Sequence, residues 1–107
     1  SNVGRWVLIK AGCRINGNVP PYTIFAHNPV SYFGVNAMLM RKHDYSEETI
    51  DDIAKCYRHV YQSGTSIFNA LRRIEADVPE SVVRQEIIEF IRNNNMNVVA
   101  FPVITEE

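Results

Sequence analysis

The sequence predicts a mainly α-helical protein, a small helical bundle preceded by a short β element, and three observations carry that prediction. From Val35 onward, apolar residues recur at helical spacing in segments separated by cap and stop residues. Before them, Val3, Ile9 and Ile15 recur every six positions, in the units VGRWVL, IKAGCR and INGNVP. Between the two patterns stands Pro20-Pro21, and neither proline can donate to a sheet ladder.

Each element follows in order. The six-residue aliphatic period fits one coil of a parallel β-helix, with Gly4, Gly12 and Gly17 supplying its tight corners. An ordinary buried strand at Trp6–Lys10 followed by a turn fits the same residues. Tyr22 to Phe25 reads as a short extended segment, and Asn28-Pro29 as a turn. A short helix is expected over Val35–Lys42, ended by Asp44-Tyr45-Ser46. Ser46 is then an N-cap, with Glu47 and Glu48 favoured by the helix dipole. The helix it opens places Ile50, Ile53, Ala54, Tyr57, Val60 and Tyr61 on one face and stops at Gly64. Thr65 or Ser66 caps a third helix, with Ile67, Ala70, Leu71 and Ile74 inward, which Val78-Pro79 ends. A fourth runs from about Ser81 to Asn93, packs Val83, Ile87, Phe90 and Ile91, and stops in the Asn93-Asn94-Asn95 run. The tail Val98–Ile104 is apolar and extended, and Pro102 restricts it to an edge or a strap across the bundle.

The composition, 46% apolar and 21% charged, is that of a globular chain. Its longest apolar runs, Trp6–Ile9 and Val98–Ile104, fall far short of the ~20 residues a membrane helix needs, so no transmembrane segment is expected, and no secretory signal is read. The chain starts at Ser1 rather than Met, which reads as a processed or engineered start. The net charge of −1 hides a division. Residues 1–43 carry Arg5, Lys10, Arg14, Arg41 and Lys42 and no acid, whereas residues 44–107 carry six basic and twelve acidic side chains. The basic part suits an anionic partner. Overall acidity and the lack of a basic helix disfavour nucleic acid. Cys13 and Cys56 have no neighbouring ligand cluster, so free thiols in a reducing compartment are expected, with no metal and no cofactor. His59 falls on the polar face of its helix, His27 in a turn, and His43 beside Arg41-Lys42 at a helix end, where cations suit either the helix dipole or a phosphate. No nucleophile–base motif is present, so no catalytic residue is assigned.

Read in order, the hexapeptide coil, "NVPPYTIFAHNPVSYFGVN", "RKHDYS" and "YRHVYQSGTSIFNAL" resemble the C-terminal third of the UDP-N-acetylglucosamine acyltransferases of lipid A synthesis, from about Val3 to Val99. The resemblance implies a left-handed parallel β-helix capped by a C-terminal helical domain. Residues 1–21 would be the last hexapeptide-repeat coil, residues 22–34 an extended connector and residues 35–107 the helical domain. It implies a cytoplasmic homotrimer that moves a 3-hydroxyacyl chain from acyl carrier protein to the 3-hydroxyl of UDP-N-acetylglucosamine. The family's catalytic histidine lies upstream of the matched segment, so this chain alone is expected to be an inactive C-terminal fragment. Asn36 matches a family asparagine near the nucleotide. Lys42 and His43 stand at a pair of family arginines, with lysine keeping the charge and losing the bidentate fork. Met38 stands where some members carry an acidic contact, and Ala11 falls at the family's acyl-chain ruler. Two other readings fit the same residues: a hexapeptide-repeat acyltransferase acting on another sugar nucleotide, and a helical interaction module with no enzymatic role.

Overall fold

The computed structural model describes residues 2–102. It holds strands β1 (Leu8–Ile9), β2 (Thr23–Ala26) and β3 (Ser31–Val35), followed by helices α1 (Ala37–Lys42), α2 (Glu47–Tyr61), α3 (Ile67–Asp77) and α4 (Val82–Asn93). The protein is thus mainly helical, with a small sheet ordered β1-β2-β3.

The helices form where caps and periodicity place them. Ser46, Ser66 and Ser81 each accept a hydrogen bond from the backbone N–H three residues on, at Thr49, Asn69 and Arg84. Helix α2 is the hub, packing against α1, α3, α4 and β3. Its inward face buries Ile53, Tyr57 and Val60 against Met40, Ile74, Ile87 and Ile91. Tyr57 donates to the carbonyl of Pro21 (2.6 Å) and Tyr61 to that of Val99 (2.9 Å). Each otherwise buried hydroxyl is satisfied on an element far away in sequence. On α4 the inward residues are Ile87, Ile88 and Ile91. Phe90, expected to pack inward, is only half-buried and lines an open groove.

Residues 22–34, expected as an extended connector, fold back on themselves. Strands β2 and β3 pair antiparallel from Thr23–Val35 to Ala26–Ser31. The turn contains Asn28-Pro29. The ladder pairs Ile24 with Gly34 and Phe25 with Tyr32, so Phe33 is an extra residue in a bulge. It faces outward, with the Lys10 ammonium 4.2 Å from its ring centre.

The N-terminal segment packs on this hairpin. Strand β1 runs parallel to β2, pairing Leu8 with Ile24 and Ile9 with Phe25, and Val3 bridges Val19 in the same sense. All three pairings join residues sixteen apart. The corners differ from expectation. Gly12 has a positive φ but Gly4 and Gly17 do not; Trp6 (φ 57°) and Tyr22 (φ 69°), also sixteen apart, take the left-handed conformation instead. Gly4 is needed for another reason: a Cβ there would lie 2.4 Å from the Pro21 nitrogen. Of the tail, Val98 and Val99 are buried and the Val99 N–H donates to the Asn18 carbonyl (2.8 Å). The chain turns at Val99-Ala100 rather than running extended, and the expected continuation to Ile104 lies outside the described residues.

Candidate functional site

Helix α1 and the residues at its two ends carry the expected substrate-binding positions. Asn36 precedes its first turn and is buried. Its side-chain amide donates to the Trp6 carbonyl (3.0 Å), and its backbone N–H to the Tyr22 carbonyl (2.8 Å). At the other end the last turn carries Arg41 and Lys42, and His43 closes it, with its N–H directed to the carbonyls of Leu39 and Met40. Asp44, at φ 63°, then turns the chain away. No acid stands in the first turn of this helix.

The three cations differ in what holds them. Arg41 is engaged by Glu47 through two parallel bonds of 2.9 Å, and that contact holds the Glu47 carboxyl below its usual range. Lys42 is exposed, and among the described residues no carboxylate pairs with it. The His43 ring stacks on Trp6, with centroids 4.1 Å apart and planes 25° from parallel. The indole N–H donates to the Tyr45 hydroxyl (3.2 Å).

Trp6 therefore connects Asn36, His43 and Tyr45, three residues from different parts of the chain. A bulky side chain at positive φ costs roughly 1–3 kcal/mol and persists only where its surroundings over-determine it. Here the surroundings include its neighbour. The Arg5 guanidinium pairs with Glu86 of α4 (2.9 Å), and the Tyr22 hydroxyl donates to the other oxygen of that carboxylate. Burial first, then the bond to Glu86, pushes the Tyr22 phenol far above its ordinary range. Arg5 and Trp6 thus fasten the N-terminal segment to the bundle.

The remaining expected residues lie elsewhere. Ala11 is exposed in the turn after β1. Met38 is 78% exposed on α1. His27 sits at the hairpin tip, 6.0 Å from the Phe33 ring. His59, expected as a solvated surface residue, is only 22% exposed and meets Asp77 at the end of α3 (2.8 Å). The hydrogen bond from His59, with smaller contributions from its charge and those of Lys55 and Arg58, holds the Asp77 carboxyl below its usual range. A separate groove between α4 and the Tyr22–Tyr45 pair is lined by the apolar Val82, Val83 and Phe90 and the acidic Glu80, Glu86 and Glu89. Its charge suits the phosphate of a ligand poorly. Among the described residues no three side chains are grouped to hold a metal ion, and no helix is long and apolar enough to cross a membrane.

A hairpin braced on a parallel edge, a short basic helix and a three-helix bundle is the arrangement of a known family. Residues 18–99 match the profile of UDP N-acetylglucosamine O-acyltransferase, domain 2. The chain belongs to this family. The UDP-N-acetylglucosamine acyltransferase of Bacteroides fragilis superposes with a TM-score of 0.87 at 39% identity, over 91% of this chain and 38% of that one. The enzyme of Acinetobacter baumannii shares the fold at a TM-score of 0.83 and 24% identity, again over 91% of this chain. The acyl-(acyl-carrier-protein)–UDP-N-acetylglucosamine O-acyltransferase of Syntrophobacter fumaroxidans is 26% identical over 97 residues. The chain spans about 38% of the length of this relative and of both solved acyltransferases.

Proposed function

We propose that this chain is the C-terminal part of an O-acyltransferase that moves a 3-hydroxyacyl group from acyl carrier protein to the 3-hydroxyl of UDP-N-acetylglucosamine. The observation that carries the reading is the match to the Bacteroides fragilis acyltransferase over nearly the whole chain, at 39% identity and a TM-score of 0.87. The geometry agrees with it. The exposed ammonium of Lys42 and the ring of His43 follow one another at the end of α1, and among the described residues no carboxylate pairs with Lys42, which suits a nucleotide diphosphate. Both proposed substrates are anionic, and the acid-free first 43 residues suit them.

In this reading residues 1–21 are the terminal coil of a left-handed β-helix, and residues 35–107 the helical domain that caps it. The parallel pairing of β1 with β2, and of Val3 with Val19, supports a coil stacked on the segment that follows it. So do Val3, Leu8 and Ile9, which are 58%, 45% and 37% exposed and offer an apolar edge to a preceding coil. In this reading the general base lies upstream; the stacking of His43 on Trp6 and the pairing of His59 with Asp77 support it by giving those two histidines local roles. The assembled enzyme is a cytoplasmic homotrimer, in keeping with free Cys13 and Cys56.

The test replaces the matching 38% of the Bacteroides fragilis enzyme with this chain and measures acyl transfer to UDP-N-acetylglucosamine. The chimera is expected to be active and the isolated chain inactive. A folded but inactive chimera, or an active isolated chain, overturns the reading. A crystal structure of the chimera that left Val3, Leu8 and Ile9 open to solvent would remove the coil assignment.

The same chimera tests two positions. Lys42→Ala is expected to raise KM for the sugar nucleotide about tenfold, the effect of a lost charge-assisted hydrogen bond. An unchanged KM would return Lys42 to a plain helix-end role. Ala11→Met should shift donor preference toward shorter acyl chains, at roughly 0.8 kcal/mol for each methylene excluded from an apolar groove. A chain-length profile equal to that of the parent chimera would take Ala11 out of the groove.

A further inference from the structure

Trp6 is the sole tryptophan of the sequence, and it occupies a left-handed corner. That backbone is one in which glycine meets no steric penalty. Tyr22, at the equivalent corner sixteen residues on, is buried in the core, and burial accounts for its presence there. Trp6 is only half-buried, so core packing does not account for the indole in the same way. What it does have is three directed contacts. Its carbonyl accepts from the Asn36 amide, its ring carries the His43 ring, and its N–H ends on the Tyr45 hydroxyl. Asn36 and His43 lie at opposite ends of α1, and Trp6 is the group that touches both.

From this juxtaposition we infer that Trp6 is the positioning residue of the nucleotide-binding edge: it fixes the plane of the His43 ring beside Lys42 and sets the Asn36 amide at the start of the same helix. The inference rests on the nucleotide reading of Asn36, Lys42 and His43. An imidazole at the exposed end of a six-residue helix would otherwise rotate freely about its side-chain bonds, and orienting it in advance removes that entropy loss from binding. The stack supplies the orientation while leaving the far face of the imidazole unstacked. The Tyr45 hydroxyl holds the indole itself in register, so the stack has one geometry rather than several.

The test measures binding of UDP-N-acetylglucosamine to the active chimera described above by calorimetry, the unsubstituted chimera serving as wild type, with thermal unfolding of every variant as a control. Trp6→Gly removes the ring while relieving the left-handed corner, so the variant is expected to stay folded. Its affinity should fall about tenfold, comparable with His43→Ala. Because both changes disable one device, Trp6→Gly combined with His43→Ala should bind within about twofold of either single variant. Trp6→Phe keeps a stacking surface and should recover most of the affinity, although it lacks the N–H to Tyr45. The His43 ring protons, shielded by the indole in the wild type, should move to free-histidine positions in Trp6→Gly and not in Trp6→Phe. Two results overturn the positioning role alone: wild-type affinity in Trp6→Gly, or full additivity with His43→Ala. Absence of binding by the wild type, or wild-type affinity in both Lys42→Ala and His43→Ala, instead shows that the nucleotide reading of the edge has failed, and the inference falls with it.

Discussion

Raising the pH above 10 is expected to unfold the protein before pH 12. The cause is a cluster of buried weak acids around α2. Burial pushes the Tyr32 phenol and the Cys56 thiol each up to about 12, and pushes Tyr57 and Tyr61 further still. A folded state that keeps these protons competes with an unfolded chain that gives them up at the ordinary phenol and thiol values. Stability is therefore full below the unfolded values, near pH 9 for the thiol and near 10 for the phenols, and is lost as pH rises through the folded ones. Each raised group contributes a slope of about 1.4 kcal/mol per pH unit. Tyr32 alone then removes roughly 2 kcal/mol by pH 12, and Tyr57 and Tyr61 at least as much each. Against a typical total of about 5–15 kcal/mol that sum is decisive. Far-UV circular dichroism and tyrosinate absorbance, followed together, should change in one cooperative step. Tyr32→Phe, which leaves the Tyr57–Pro21 and Tyr61–Val99 bonds in place, should move the midpoint upward. Native dichroism retained at pH 12 would contradict the account.

Gly4→Ala is expected to detach the N-terminal segment. The new methyl would fall 2.4 Å from the Pro21 nitrogen and 2.6 Å from its Cα, both rigid backbone, and Pro21 is buried. Residues 2–6 would have to withdraw, breaking the Gly4–Val19, Val19–Asn2 and Tyr22–Arg5 backbone bonds of 2.8 Å each. Overpacking of this kind costs about 1–3 kcal/mol, and each hydrogen bond lost adds about 0.5–1.5 kcal/mol. Denaturant unfolding should report a loss within about 2.5–5 kcal/mol, the lower part of the summed range. Hydrogen exchange should localise the opening to residues 2–10. Stability within about 0.5 kcal/mol of wild type, the span of ordinary surface changes, would mean that the segment docks in some other way. The segment has a neighbour on its own chain: β2 lies beside β1 as the next coil would, and Val19 enters the core.

The helices were legible because their signals are local. A serine cap lies three residues from the N–H it serves, and an apolar face repeats within two turns, so Ser46 could be read directly, Ser66 as one of two candidates and Ser81 as the approximate start of α4. The hairpin was not legible. Its strands are short, its alternation is interrupted by the Phe33 bulge, and its turn carries a proline in place of a familiar hairpin pair. His59 was misread because its partner Asp77 stands on another helix. Asn36, Lys42 and His43 were named by resemblance and come to one helix and its two ends, whereas Trp6 was read only as part of a strand. Its partners lie thirty to thirty-nine residues away, and no periodicity links them. The one available hint was compositional: the single tryptophan sits next to an arginine in the acid-free part of the chain.

The stacking of that tryptophan also has an optical consequence. Indole can be excited selectively over the tyrosines, and in this sequence all indole emission originates from one side chain. Its excited state is in contact with an imidazole and hydrogen-bonded to a phenol, two groups able to change its quantum yield. Events at the end of α1, whether ligand arrival, displacement of the ring or docking of another chain, therefore register in the intrinsic fluorescence of the unmodified protein. The molecule needs no attached dye at this position, and its emission spectrum is a direct record of how Trp6 and His43 lie.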